Sequence, residues 1–286
     1  MKTNVLFAGL WMLVFSACYT PRFVNSPTAH NVPVLAEKND SKLSFNYSTN
    51  ADTRSTNDQY SRNRANGFDV QGAYAITNSI GVQGSYFSRN ETTNGGGAED
   101  DYFDKSVIDY NRHFFEFGAG YFTPIDKKGK ILFQVFGGVG FGRFTFTDNG
   151  KDKLQNAYSR FHNADVTKFY LEPALTFRSK DETFAASLST RFSFAKFRNV
   201  QTNYTAPERQ FFKLDSINRY TSVFFEPAFV NSYGFNKLPG FRIEYQLGLS
   251  LLMSRQIMDY RRFNFSIGLV FDIPKLIRRI NNNKKN

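Results

Sequence analysis

Between residues 42 and 273 the sequence alternates apolar and polar residues with a period of two, in about ten separate segments. A period of two puts successive side chains on opposite faces of a strand, so each segment reads as a strand with one apolar and one polar face. In one segment Phe241, Ile243, Tyr245, Leu247, Leu249 and Leu251 alternate with Arg242, Glu244, Gln246, Gly248 and Ser250. In the last, Phe263, Phe265, Ile267, Leu269, Phe271 and Ile273 alternate with Asn264, Ser266, Gly268 and Asp272. The composition agrees, with 33 Phe, 15 Tyr and 20 Gly against 9 Pro and 1 Trp, because aromatic residues pack well on pleated surfaces.

The connections alternate in length. Long ones fall near 48–66, 90–112, 147–164 and 199–219, and short ones near 77–79, 123–130, 178–182 and 234–240, with a medium loop near 253–260. Long loops at one end and short turns at the other are the pattern of a transmembrane barrel. The strong segments have the roughly 9–11 residues that cross hydrocarbon when tilted. The expectation is an all-β, antiparallel, up-and-down transmembrane β-barrel over 42–273 with about ten strands, eight and twelve being the neighbouring even counts. A soluble sandwich would alternate too, but it has no need of such regular connections. An even number of strands predicts both termini on the periplasmic side and the long loops outside the cell.

The first residues read as a targeting signal over 1–17. Lys2 supplies a positive charge, Val5 to Phe15 is an apolar run too short to span a bilayer, and Phe15-Ser16-Ala17-Cys18 resembles the cleavage and acylation site of a bacterial lipoprotein. Cys18 is the single cysteine, which excludes an intramolecular disulfide and a cysteine metal cluster. Acyl chains there predict an anchor in the outer membrane, in its inner leaflet. Tyr19 after the cysteine, rather than Asp, fits outer-membrane delivery by resemblance to the sorting rule of well-studied diderm bacteria. Residues 18–41, broken by Pro21, Pro27 and Pro33, read as an extended periplasmic linker. Residues 274–286 read as a basic tail with Lys275, Arg278, Arg279, Lys284 and Lys285, and with Leu276, Ile277 and Ile280 as apolar contacts for anionic lipid or peptidoglycan. The formal net charge is +11. The Lys and Arg residues are scattered apart from this tail, so no nucleic-acid partner is expected.

Two resemblances extend this reading. Ser266, Gly268, Phe271 and Ile273 occupy the places of the C-terminal assembly signal of outer-membrane barrels, although this chain continues past it. The resemblance implies the barrel-assembly machinery as a partner during biogenesis. Asn31-Val32-Pro33-Val34-Leu35, Asn66 to Ala75 and Ile80-Gly81-Val82, taken with the lipoprotein signal, resemble a group of Bacteroidota outer-membrane lipoproteins with barrel domains. That group implies fold and location and supplies no activity.

If the apolar faces meet lipid, Asp69, Arg89, Glu116, Lys168, Glu172, Arg191, Glu226, Arg242 and Glu244 face the lumen. Buried charges require partners or water, so these nine are expected to form a charge network that rigidifies a narrow barrel. The alternative is the lining of a narrow channel for ions or small solutes, with Gly138, Gly140 and Gly142 leaving space or accommodating a neighbour such as Phe136. Ten-stranded omptin proteases carry Asp pairs and an Asp–His pair at the extracellular rim. Here His113, His162, Asp109, Asp165 and Glu99-Asp100-Asp101 are the residues that would lie near such a rim, without the omptin motifs. His30 has no evident partner. The acidic run from Glu99 to Asp104 lacks the spacing of a Ca²⁺ loop. No catalytic residue, metal or cofactor is expected. The predicted role is non-enzymatic, structural or surface-interacting, with outer-membrane lipid as a partner and the partner of the extracellular loops unknown.

Overall fold

A computed structural model describes residues 21–51, 64–95, 106–152, 154–181, 183–274, 276 and 277. Its wall runs β1 (Ser41–Ala51), β2 (Arg64–Ala75), β3 (Ile80–Gly95), β4 (Ser106–Pro124), β5 (Ile131–Lys151), β6 (Ala157–Arg178), β7 (Phe184–Thr202), β8 (Ser222–Phe235), β9 (Leu238–Leu249) and β11 (Phe263–Phe271). The two-residue β10 (Leu251–Leu252) continues β9 along β8. Each strand pairs antiparallel with the next, β9 pairs with β11, and β11 closes on β1 from Leu43↔Phe271 to Ala51↔Phe263. The result is a closed antiparallel barrel of ten wall strands. One short helix, α1 (Ala206–Phe211), lies in the β7–β8 connection.

The apolar side chains of the alternating pattern point outward. Phe45, Tyr47, Phe68, Tyr86, Phe115, Phe117, Tyr121, Phe133, Phe141, Phe169, Leu171 and Phe177 lie on the outward face of their strands, and Phe117 is 57% exposed. The positions that alternate with them are buried and mostly polar. A closed wall with an apolar exterior and a polar interior is the arrangement that satisfies every backbone group in hydrocarbon.

The strands are longer than the belt. β6 has 22 residues and β5 has 21, about twice what a crossing needs. Above the belt the polarity of the wall inverts. On β5 the outward apolar series ends at Phe141 and is followed outward by Arg143, Thr145 and Thr147, while Phe144 and Phe146 turn inward. The same exchange takes Phe194 to Phe197 on β7 and Phe115 to Phe114, Tyr110 and Ile108 on β4. Water outside and a dry interior demand the opposite phase from lipid outside and a polar lumen. Much of what reads as long loops at 90–112 and 147–164 is therefore strand in the inverted phase. The β5–β6 connection proper is 152–156. There Asp152 accepts from the side-chain amide and N–H of Asn156 and from the N–H of Leu154, bonds that hold its carboxyl below the usual range.

The segment from Pro21 to Ala36 is extended, as expected of a linker, but it does not lie outside the barrel. It runs down the lumen. Arg22 sits level with Asp148 of β5, Thr28 with Glu116 of β4, and Leu35 packs with Phe136 near the short-turn rim. The chain then reverses at 36–40. The Asp40 carboxylate accepts from the N–H groups of Ala36 and Glu37, and Asn39 takes a positive φ of 72°, which asparagine tolerates better than most residues. β1 begins directly after that turn. The first described residues thus lie at the long-hairpin rim, while the end of β11 lies at the short-turn rim. The expectation that both ends share one side does not hold for the described chain.

Phe117 lies near the middle of the belt on β4, and Thr145 faces outward above it. Phe117→Arg should lower equilibrium stability in lipid vesicles by about 2–4 kcal/mol. Thr145→Arg should change it by less than about 0.5 kcal/mol. Equal losses at both positions would contradict the placement of the belt edge between Phe141 and Arg143.

Candidate functional site

Among the described residues polar groups converge in the lumen, and the segment 21–36 is its axis. At mid-height the carboxylate of Glu116 pairs with Lys168, and Arg191 bridges Glu172 at 2.6 Å and Glu116 at 3.6 Å. The Thr28 hydroxyl sits among them. It accepts from Arg191 at 2.6 Å and from Lys168 at 3.3 Å, and it donates to Glu116 at 3.3 Å. One donor and two acceptors exhaust the capacity of a hydroxyl, so Thr28 is the hub of the cluster. Arg191 is 0% exposed, and each of these strands supplies its residue from its inward face.

His30 has partners that sequence reasoning does not supply. Its N–H donates to the side-chain oxygen of Gln246 at 2.9 Å, and its carbonyl accepts from the Gln246 amide at 2.8 Å. Its ring Nδ1 lies 2.9 Å from the Ser189 hydroxyl. Gln71 donates to the carbonyls of Ala29 and His30, Asn50 to the carbonyl of Pro27, and the Asn31 amide reaches the carbonyl of Gly72. A chain inside the barrel still carries a donor or acceptor at nearly every residue. Here the amide side chains of the wall meet those groups, as a neighbouring strand would.

The remaining expected lumen residues separate into local pairs. One guanidinium nitrogen of Arg89 donates to both carboxylate oxygens of Asp69, at 2.9 and 3.1 Å, and Arg89 Nε donates to Asn50. Glu244 pairs with Lys42 at 3.0 Å. Glu226 accepts from the hydroxyls of Ser193 at 2.5 Å and Ser250 at 3.2 Å. Arg242 lines a recess of about 40 Å³ near the short-turn rim with Arg178, Glu244 and Asp272. The nine residues thus occupy several levels of the lumen, and Gln246, which donates to Glu244 at 3.2 Å and holds the backbone of His30, links two of them.

A second set of charges, missed in the sequence, holds the upper end of the segment. Arg22 pairs with Asp148 at 2.6 Å, and Tyr204 donates to the same carboxylate at 2.7 Å. Glu91 pairs with Arg112 at 3.0 Å and with Arg261. Arg112 donates to the carbonyl of Phe23, and the Arg261 guanidinium lies 3.7 Å from the centre of the Phe23 ring. Around them Phe87, Tyr110, Phe144, Phe146, Phe197, Phe212 and Phe224 form a dry core. Parity was the available signal. Glu91, Arg112 and Asp148 are in step with the inward residues Arg89, Glu116 and Gln134 lower on the same strands.

Of the glycines expected to leave space, Gly140 and Gly142 face the ring of Phe114; a β-carbon at either would strike it. Phe136 is accommodated instead at Gly120 and Gly81. A cavity of about 40 Å³ lies beside Val24 to Thr28, bordered by Phe114, Lys168 and Glu226. That is room for about one water molecule, against the roughly 300–1,000 Å³ of a small-molecule site.

The rim residues do not come together. His113 faces outward beside Asn111, and Asp109 lies on the same outer face with Thr92. Asp165 is also outward, between Arg143 and Asn199. His162 faces inward and stacks on Phe146 at 5.2 Å. The wall separates the two histidines, and His162 is separated from Asp165. Cys18, Glu99, Asp100, Asp101, Asp104 and the basic tail residues Lys275, Arg278, Arg279, Lys284 and Lys285 lie outside the described residues. In the assembly signal, Ser266 and Gly268 face the lumen and Phe271 faces out, with Ile273 exposed just beyond β11. A side chain at 268 would meet the Phe45 carbonyl and Asn46 across the closing seam.

No family model matches the chain, and no curated protein sequence matches it. Among solved structures it is similar to the attachment invasion locus protein Ail of Yersinia pestis, at 14% identity over 83% of this chain and 99% of that one, with a TM-score of 0.30. It is similar to the outer membrane protease OmpT of Escherichia coli, at 9% identity over 86% and 99%, with a TM-score of 0.41. It is also similar to the translocator domain of the autotransporter NalP of Neisseria meningitidis, at 9% identity over 94% and 96%, with a TM-score of 0.44. Likenesses of this size are of general form, and no activity is taken from them.

Removing Arg191 leaves the Glu172 carboxylate buried without its cation. Arg191→Leu should destabilise the folded barrel by about 3–5 kcal/mol. Adding Glu172→Leu should recover part of that loss. A double variant as unstable as the sum of the singles would show that the two side chains are not coupled.

Proposed function

We propose that this chain is a non-enzymatic outer-membrane β-barrel of structural or surface-interacting role, whose lumen is shut by its own N-terminal segment. The observation that carries the reading is the route of residues 21–36. They fill the axis of a ten-stranded wall and are held at every level, from Arg22–Asp148 through Thr28 to Leu35. A barrel of this size is nearly filled by its own side chains, and an added extended chain leaves no path for solutes. The apolar belt takes outer-membrane lipid as its partner, and β11 presents its assembly signal to the barrel-assembly machinery. The long hairpins face outward from the cell, where they offer a rigid polar surface with a dry core behind it. Acylation at Cys18 adds a lipid anchor, in keeping with the resemblance to Bacteroidota outer-membrane lipoproteins.

The channel reading is weaker, because spaces of about 40 Å³ do not join into a pore. The hydrolase reading is weaker still, because a general base needs its carboxylate within hydrogen-bond reach, and His113 and His162 point to opposite faces of the wall. Purified full-length protein in planar bilayers should show no conductance steps across the accessible voltage range. Reproducible steps from the full-length chain would sink the plugged-barrel reading in favour of the channel. Removal of residues 21–36, in protein that keeps its heat-modifiable mobility, should produce steps.

A further inference from the structure

We infer that the N-terminal segment crosses the membrane through the lumen and opens at the long-hairpin rim, so that the chain ahead of Pro21 is presented on the cell surface. This rests on the proposed orientation for its destination, but the route itself does not depend on it.

The direction of the segment follows from its contacts. Going along the chain, Pro21 and Arg22 meet Tyr110, Asp148 and Tyr204 in the part of the wall above the lipid belt. Phe23 bridges to Asp259, and Asn25 accepts from Arg261, both in the 253–262 connection at the same rim. Thr28 lies at mid-lumen and Leu35 near the short turns, where the chain turns into β1. The descent is monotonic, from Asp148 to Phe136 on the ruler of β5. About a dozen strand residues at ~3.3 Å rise and ~40° tilt correspond to roughly 30 Å of height.

This fixes where a group attached just ahead of Pro21 is able to go. Two residues, Tyr19 and Thr20, separate Cys18 from Pro21 in the sequence, and the three steps of chain reach at most about 10 Å. The inner leaflet at the short-turn rim is out of range by a factor of about three, so on this route the anchor lies elsewhere than the sequence alone suggests. An acyl group on Cys18 enters the leaflet on the long-hairpin side. The barrel then carries its own N-terminus across the membrane, and the buried pairs Arg22–Asp148 and Arg191–Glu172 resist its withdrawal.

The experiment places one epitope singly at three positions: between Thr20 and Pro21, after Leu154 in the β5–β6 turn, and after Lys128 in the β4–β5 turn. Antibody binding is compared on intact cells and on cells with a permeabilised outer membrane, for variants that keep their heat-modifiable mobility. The inference expects the epitopes at Pro21 and Leu154 to bind on intact cells, and that at Lys128 only after permeabilisation. An epitope at Pro21 that behaves like that at Lys128 while Leu154 is exposed overturns the route. Exposure of Lys128 alone overturns the orientation, and with it the surface destination, while leaving the route in place. A second measurement guards against an insertion that disturbs the segment. Phe23→Cys with Asp259→Cys, in a Cys18→Ser background, should form a disulfide on oxidation in membranes, because the two residues bridge as neighbouring strands do. Folded protein that stays reduced would remove residue 23 from that rim.

Discussion

A strand wall in hydrocarbon has no water to receive its N–H and C=O groups, and each unmet group costs several kcal/mol. Closure of β11 on β1 is therefore the condition on which the rest depends. With the seam made, from Leu43↔Phe271 to Ala51↔Phe263, every edge is paired and the outward faces are free to be apolar. Close approach across that seam explains Gly268, where a β-carbon would collide with the Phe45 carbonyl. Closure also sets the interior problem. Ten inward faces meet around a narrow axis, out of reach of bulk water, and whatever they carry must be satisfied from within.

The lumen solves that problem with two chemistries stacked along one axis. Within the belt the inward residues are Ser, Asn, Gln and paired charges. The desolvation of a cluster such as Glu116, Lys168, Glu172 and Arg191 is offset only when each charge finds a partner. The threaded segment completes the set, because Thr28 spends its donor and both acceptors on three of those groups. Above the belt the interior becomes an aromatic core and the wall turns its polar face to water. There Phe23 and Arg22 of the segment are buried among Tyr110, Phe146, Tyr204 and Phe212. One extended chain thus joins a membrane barrel to a water-exposed extension with the packing logic of a soluble sandwich.

The sequence made the barrel legible because the period of two survives wherever lipid lies outside. Phe241 to Leu251 and Phe263 to Phe271 are unbroken, and the strand count follows from them. What was not legible is the change of phase. Val139 and Phe141 on one parity, followed by Phe144 and Phe146 on the other, look like the end of a strand if one face must always be apolar. The strand continues, and its surroundings change. Hence the hairpins near 90–112 and 147–164 read as loops, and Glu91, Arg112 and Asp148 were missed although their parity matched that of Arg89, Glu116 and Gln134. The segment 21–36 has no period, since it belongs to no sheet and is contacted from all sides. Its prolines at 27 and 33 signal an extended chain, which is what it is, but say nothing about which side of the wall it occupies. Parity placed Asp69, Glu116, Glu172 and Glu244 inside the wall. Their partners depend on register between strands, which is why Lys42 for Glu244 and Thr28 for Glu116 could not be read from one chain at a time.

The side chains that hold the threaded segment come from both sides of the closing seam. Gln71 and Asn31–Gly72 belong to the β2 side, Gln246 to the β9 side, and Arg191 and Glu116 to the far wall. A sheet with β1 and β11 apart would offer the segment only part of this set and would leave Thr28 and the carbonyls of Ala29 and His30 partly unmet. The full set exists only in the closed barrel. The closed barrel in turn buries Glu116, Lys168 and Arg191 with Thr28 as their common hydroxyl. Ordering of the segment and closure of the wall therefore stabilise one another, and a weakening of either is felt in both. On this account residues 21–36 are part of the fold of the barrel, and the position of Arg22 at the long-hairpin rim is fixed by the same kind of buried polar contact that makes the lumen stable.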